Sequence, residues 1–274
     1  MLESILVYYL TALMLYLMAK SVANKEVLSK THASFWSPEI VASICWFGRN
    51  PLPPLAKKCI ESWKKYCPDY EIKEWNEDNF PMDYNDYVKE AYEAKKWAFI
   101  TDVVRLYALV TEGGIYMDTD VEVLKPLDDL LQYEAISGFE NYSQIPTGLM
   151  ASEARQPLFE ELLHDYDGAH FRNEDGTLDT TTNVKRITAT CLKYGFEPNN
   201  KKQTVKGFTL LPSDFLCPKD YETKKVHLTE NSLVIHHFDG SWQSRSIKEQ
   251  LTYKIFGRRI GDCIYRLYVK LLEK

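Results

Sequence analysis

The sequence predicts an α/β fold, a mixed sheet flanked by helices, and three observations carry that expectation. Beyond residue 35, apolar runs of strand length alternate with stretches whose apolar residues recur at helical spacing, the order that lays helices on the faces of a sheet. The chain has 274 residues, 45% of them hydrophobic and 26% charged, enough for one domain with a sizeable core and too apolar for wholesale disorder. No repeat or low-complexity segment is visible. The expected organisation is an apolar N-terminal segment over 1–30, the α/β domain over 35–245, and a basic amphipathic helix over 246–274.

Each element has its own signal. Ile5 to Ala19 is nearly unbroken apolar sequence, short of the ~20 residues a spanning helix wants. It reads as a membrane anchor, a packed helix or a cleaved signal. Lys20, Lys25 and Lys30 all follow it, so an anchor would leave the domain on the cytoplasmic face of a membrane, the bacterial inner membrane first. The lumen of a secretory pathway is the alternative. Ile40 to Phe47 is a buried strand ending at Gly48. Pro51, Pro53 and Pro54 open a helix carrying Leu55, Cys59, Ile60 and Trp63, and Pro68 closes it. Tyr70 to Trp75 alternates as a second strand. Asp86 to Val110 is helical, as two helices, and Glu112-Gly113-Gly114 stops the second. Ile115 to Leu124 follows as a strand, a loop falls at Arg172 to Thr182, and Ser232 to Phe238 is the last strand.

The net charge of −6 is not that of a nucleic-acid binder, and no nucleic-acid partner is expected. The sign is uneven. From Arg245 onward there are eight basic and three acidic residues, interleaved with apolar ones such as Tyr253, Phe256, Leu267 and Leu271. That composition suits a helix on an anionic membrane surface, or equally a packed helix with a solvated basic face. The cysteines at 45, 59, 67, 191, 217 and 263 form no CxxC pair, which argues against a zinc ribbon and for reduced thiols.

The chemistry gathers around Gly113-Gly114-Ile115-Tyr116-Met117-Asp118-Thr119-Asp120. On a strand, Asp118 and Asp120 would project to the same side. Two close carboxylates repel unless a cation sits between them, and Mg²⁺ or Mn²⁺ commonly takes one or two carboxylates together with substrate phosphates. One helix upstream, Asp102 and Arg105 share a helical face at i and i+3. A buried Arg there could hold a phosphate or a sugar hydroxyl, with the Asp orienting it.

The run from Trp97-Ala98-Phe99-Ile100-Thr101-Asp102-Val103-Val104-Arg105 through Glu112-Gly113-Gly114-Ile115-Tyr116-Met117-Asp118-Thr119-Asp120 resembles the signature of the DXD sugar transferases of glycosyltransferase family 32. That group includes capsular-polysaccharide transferases and yeast mannosyltransferases, and it is related to the clostridial glucosylating toxins. Cys45-Trp46-Phe47-Gly48, Glu74-Trp75-Asn76 and His236-His237-Phe238-Asp239-Gly240-Ser241-Trp242 extend the likeness over roughly residues 38 to 245.

The resemblance implies a GT-A type, Rossmann-like mixed sheet and a nucleotide-sugar donor, a UDP-sugar before a GDP-sugar. It also implies Mn²⁺ or Mg²⁺ and retention of anomeric configuration. It gives Asp120 to the metal, Asp118 to the ribose and metal, and Asp102 and Arg105 to the hydroxyls of the transferred sugar. Trp46 would lie near the nucleobase, Ser241 and Trp242 would close over the diphosphate, and His236 or His237 would be a third metal ligand. Glu140 lies in a loop where a double displacement could use it, with nothing in the sequence to single it out. The Thr180-Thr181-Thr182-Asn183 stretch reads as a helix cap before an acceptor contact. The acceptor would be a glycan or a lipid-linked oligosaccharide in surface polysaccharide synthesis. The rival functions are a nucleotide-sugar hydrolase or nucleotidyltransferase, and a catalytically idle glycan-binding or membrane-assembly subunit.

Overall fold

The computed structural model describes residues 39–240 apart from Glu222. The apolar N-terminal segment, Ser241, Trp242 and the basic tail lie outside the described residues. Val41–Cys45 (β1), Glu71–Trp75 (β2), Gly114–Met117 (β3), Ala135–Gly138 (β5), Leu149–Ser152 (β6), Gln203–Val205 (β7) and Phe208–Leu211 (β8) form a seven-stranded sheet in the order β2-β1-β3-β6-β5-β8-β7. Val121–Val123 (β4) and Val234–His236 (β9) make a separate antiparallel pair. β1 is parallel to both β2 and β3, whereas β6 runs antiparallel to β3 and β5. The sheet is therefore mixed and flanked by helices, as expected.

The helices follow their punctuation. Pro54–Tyr66 (α1) starts with Pro at its first position, where a missing N–H costs nothing. Asp86–Glu93 (α2) is capped by Asn85, whose side chain accepts from the Val88 N–H. The chain breaks at Lys95, which has φ of 55°, before Trp97–Thr111 (α3). Pro157–His164 (α4) and Asn183–Lys193 (α5) follow, with a short helix at Ser213–Leu216 (α6). The expected loop at Arg172 to Thr182 is a loop, pinched by one bridge between Arg172 and Leu178.

Alternation along the strands divides the core between the two faces of the sheet. Ala42, Ile44, Ile115, Met117 and Ala151 pack with Trp63 of α1 on one side. Tyr116, Met150, Phe208 and Leu210 pack with Ile100, Val104 and Leu106 of α3 on the other. α3 is buried along most of its length, which is why it lacks a polar stripe and can carry Asp102 and Arg105 into the interior.

Gly113 and Gly114 explain how α3 hands over to β3. Both have positive φ, and a Cβ on Gly114 would sit 2.3 Å from the Val41 carbonyl oxygen of β1. Only glycine allows that backbone approach. The expected single strand from Ile115 to Leu124 is not one strand. β3 belongs to the large sheet and β4 to the small one, and the chain turns between them at Asp118-Thr119-Asp120, where the Val121 N–H bonds the Asp118 carbonyl at 3.0 Å.

Candidate active site

The two aspartates meet through that turn rather than through strand alternation. β1 and β3 are parallel, so their carboxyl ends lie at the same edge of the sheet, the edge where open α/β sheets bind ligands. Trp46 follows β1 there and Asp118 follows β3. Gly148 precedes β6, and its carbonyl takes the Asp118 N–H at 2.7 Å. The small sheet supplies the rest, because β4 pairs with β9 and sets Val121, the neighbour of Asp120, opposite His236.

Asp118, Asp120 and His236 offer ligand atoms that all lie within 4.8 Å of one another. His236 Nε2 is 3.4 Å from Asp120 Oδ1, while the buried His236 Nδ1 has no hydrogen-bond partner among the described residues. Burial opposes a charge on this ring, but the Asp120 carboxylate, with a smaller contribution from Cys217, holds His236 well above the ordinary histidine value. Two carboxylates and an imidazole gathered this closely are a donor set for a divalent cation such as Mn²⁺ or Mg²⁺. The residues present fit such an ion.

Of the two histidines proposed as ligands, His237 is not in the cluster. Successive strand residues face opposite ways, and its Nε2 pairs with Glu122 Oε2 at 2.8 Å. Its backbone N–H does hold the Asp120 carbonyl at 2.9 Å.

Beside the cluster stands the Asp102–Arg105 pair. Arg105 reaches Asp102 Oδ1 at 3.2 Å and Asp118 Oδ1 at 3.4 Å, donates to the Thr147 carbonyl at 2.7 Å, and lies 4.8 Å from the Tyr116 ring centre. Burial works against its charge, and Asp118, Tyr116 and Asp102 outweigh burial, so the guanidinium stays charged. Burial pushes the Asp102 carboxyl up to about 6, with Arg105 pulling the other way. Trp46 is half-buried, and its Nε1 donates to the Asn50 carbonyl at 2.5 Å. Ser241 and Trp242 lie outside the described residues.

Three contributors escaped the sequence reading. Tyr116 donates its hydroxyl to Asp118 Oδ1 at 2.6 Å. Asn183 clamps Asp102, giving its N–H to Oδ2 at 3.0 Å and its side-chain amide to the Asp102 carbonyl at 2.9 Å. Gly148 packs against His236, where a Cβ would come within 2.7 Å of the ring. The Tyr two residues before Asp118 is legible as its neighbour, while Asn183, read in sequence only within the Thr180 to Asn183 cap or acceptor contact, is 81 residues from Asp102 and nothing local ties the two together.

A family model described as the glycosyltransferase sugar-binding region containing the DXD motif matches residues 53–136. An uncharacterized glycosyltransferase of Acanthamoeba polyphaga mimivirus is 25% identical over 224 residues, covering 75% of this chain and 83% of that one. Inositol phosphoceramide mannosyltransferase 3 of Schizosaccharomyces pombe is 27% identical over 156 residues, 53% of this chain and 40% of its own. Glucan organizing enzyme 1 of Cryptococcus neoformans is 50% identical over 46 residues, 17% of this chain and 13% of that one. The chain thus spans well under two thirds of the two fungal relatives. Among solved structures, PaToxG glycosyltransferase aligns with a TM-score of 0.44 at 17% identity, over 65% of this chain and 79% of that one. The match to the DXD sugar-binding model is confined to residues 53–136, while the likeness to the mimivirus glycosyltransferase covers 75% of the chain.

Proposed function

We propose that the chain is a metal-dependent, retaining glycosyltransferase that moves a hexose from a nucleotide-sugar to a glycan or lipid-linked acceptor in surface polysaccharide synthesis. The observation that carries the reading is the convergence of Asp118, Asp120 and His236 beside the buried Asp102–Arg105 pair. A divalent cation, Mn²⁺ or Mg²⁺, held by those three residues would supply electrostatic stabilisation of the charge that grows on a departing diphosphate. Arg105 adds a fixed positive charge in the same place, braced by the Thr147 carbonyl. Asp102 has lone pairs left over after Arg105 and Asn183 are satisfied, and these can accept from sugar hydroxyls. Tyr116 holds Asp118 in place. Trp46 offers a partly exposed ring for a nucleobase. Retention, the hexose and the UDP-sugar preference rest on the family resemblance.

Attachment at the cytoplasmic face of a membrane rests on sequence alone, on the apolar Ile5 to Ala19 run with lysines after it and on the basic tail. Among the described residues no helix is long and apolar enough to cross a membrane.

The test is nucleoside-diphosphate release from a panel of UDP- and GDP-hexoses, with Mn²⁺ and with EDTA, on wild type and Asp120→Asn. Release from one donor that requires metal and vanishes in the variant supports the reading, as does a Mn²⁺-dependent rise in melting temperature that the variant lacks. Pyrophosphate release would indicate a nucleotidyltransferase instead. Release that no acceptor accelerates would indicate a hydrolase, and neither release nor nucleotide binding would leave the glycan-binding subunit.

A further inference from the structure

The segment joining β5 to β6 forms a wall of the site. At its far end the Thr147 and Gly148 carbonyls hold Arg105 and the Asp118 N–H, and Gly148 lies against His236. At its near end Glu140 lies two residues past β5, at the same sheet edge as Asp118. Its carboxylate is half-buried and makes no hydrogen bond among the described residues. Burial pushes it up, and the charges of both His236 and Asp118 act on it, so it is close to the metal-type cluster without being one of the three ligands.

Between these ends the loop is tightly tied. The Glu140 N–H bonds the Gln144 carbonyl at 2.8 Å, and Asn141 Oδ1 accepts from the Ser143 N–H and hydroxyl and from the Gln144 N–H. Tyr142 sits at the tip. It is 74% exposed, the most exposed of the large hydrophobic side chains described, and its ring and hydroxyl touch no partner among the described residues. A loop fixed this firmly is not accommodating a stray aromatic. It leaves the Tyr142 ring open to solvent two residues beyond the unbonded Glu140 carboxylate.

We propose that the Glu140–Gln144 loop is the acceptor subsite, in which Tyr142 stacks on a hexose ring of the incoming glycan and Glu140 accepts a hydrogen bond from the acceptor's hydroxyl. Sugar rings have apolar C–H faces that pack on aromatics and rims of hydroxyls that want acceptors, and the loop supplies both chemistries in that order from solvent inward. This rests on the glycosyltransferase reading, and extends it from the donor to the acceptor.

The probes are p-nitrophenyl α- and β-glycosides of glucose, galactose and mannose. Binding to the full chain is read by saturation-transfer NMR with nucleoside diphosphate and Mn²⁺ present, and acceleration of diphosphate release is read separately. Tyr142→Ala is expected to weaken hexoside binding and raise the acceptor KM about tenfold, a loss of about 1.4 kcal/mol, with Tyr142→Phe close to wild type. Glu140→Ala is expected to lower kcat for transfer at least tenfold, with Glu140→Gln retaining part of it, and thermal melts verify that both fold. Tyr194→Ala, an exposed aromatic on the surface after α5, serves as the control.

Equal hexoside use by Tyr142→Ala and wild type overturns the subsite. So does a wild type that hydrolyses its donor yet neither binds nor responds to any hexoside. A wild type that binds hexosides through Tyr142 while turning over no donor keeps the subsite and removes the catalytic reading.

Discussion

Asp102 and Arg105 on one side, and Asp118, Asp120 and His236 on the other, are adjacent constellations of charge built on opposite terms. The first pair is buried, with side chains 12% and 6% exposed, and its contacts are with protein partners: each other, Asn183, the Thr147 carbonyl and, across to the second group, Asp118. The second group is more open, with Asp118 at 24% and Asp120 at 18%, and it retains an orphaned histidine nitrogen and donor atoms facing one another. Charge buried and held by protein partners is framework, even where a lone pair is left for a sugar hydroxyl. Carboxylates and an imidazole gathered at a more open edge, with one buried ring nitrogen left over, suit a cation. The difference separates what holds the site from what binds in it.

The largest effect expected from breaking this contrast is on the framework side. Arg105→Ala leaves Asp102 buried without its cation, and uncompensated buried charge costs about 3–5 kcal/mol. Chemical denaturation should show that loss of stability, and activity should vanish with it. A stable Arg105→Ala protein would mean that Asp102 is solvated and that the pair is not framework.

Next comes Asp120→Asn, which alters a more open group whose neighbours can relax. Turnover is expected to fall by about 10²–10³, the size of losing one preorganised electrostatic contact. Mn²⁺ binding should be lost and the melting temperature without metal nearly unchanged. Removing metal from wild type with EDTA should reproduce the same phenotype. A variant that melts far below wild type would put Asp120 in the framework class instead.

Gly148→Ala probes the seam between the two groups. The new methyl would come within 2.7 Å of the His236 ring, which β9 holds in place, and overpacking of this kind costs about 1–3 kcal/mol. Because the ring must move to admit the methyl, Mn²⁺ affinity should drop along with stability. A variant with native metal affinity would show that His236 does not contribute to the site.

How much of this was legible in the sequence follows the distance over which each signal acts. α1 was marked by its own prolines, α2 and α3 by their apolar spacing, and the handover to β3 by Gly113-Gly114, all local features. The carboxylates are legible as a pair, but strand alternation is not what brings them together. A continuous strand was expected where Asp118 to Asp120 is a turn between two sheets, because nothing in the alternation of Ile115 to Leu124 says that Val121 will pair with β9 rather than extend β3. The choice between His236 and His237 depended on that same pairing. Asn183 and Glu140 gain their meaning only from elements far off in sequence, so no periodicity could have singled them out. The N-terminal segment, Ser241, Trp242 and the basic tail remain as the sequence left them.

The smallest effect is the most direct measure of the contrast. With Asp102 pushed up to about 6 by burial against about 3.9 in an unfolded chain, the group keeps its proton in the fold over a range where the unfolded chain has released it. Stability therefore falls as pH rises between those two values, opposite to the trend of a solvent-facing carboxylate held by a salt bridge. A ¹³C-carboxyl NMR titration of the metal-free protein should give Asp102 a midpoint near 6, assigned by its disappearance in Asp102→Asn. Donor affinity should instead weaken as pH falls through that midpoint, because the protonated carboxyl gives up an acceptor site that a sugar hydroxyl would use. A midpoint below about 4 would mean that Arg105 overrides burial and that Asp102 is a paired surface-like acid. The framework would then consist of Arg105 alone, gripped by carbonyls and an aromatic ring, with all three aspartates on the binding side.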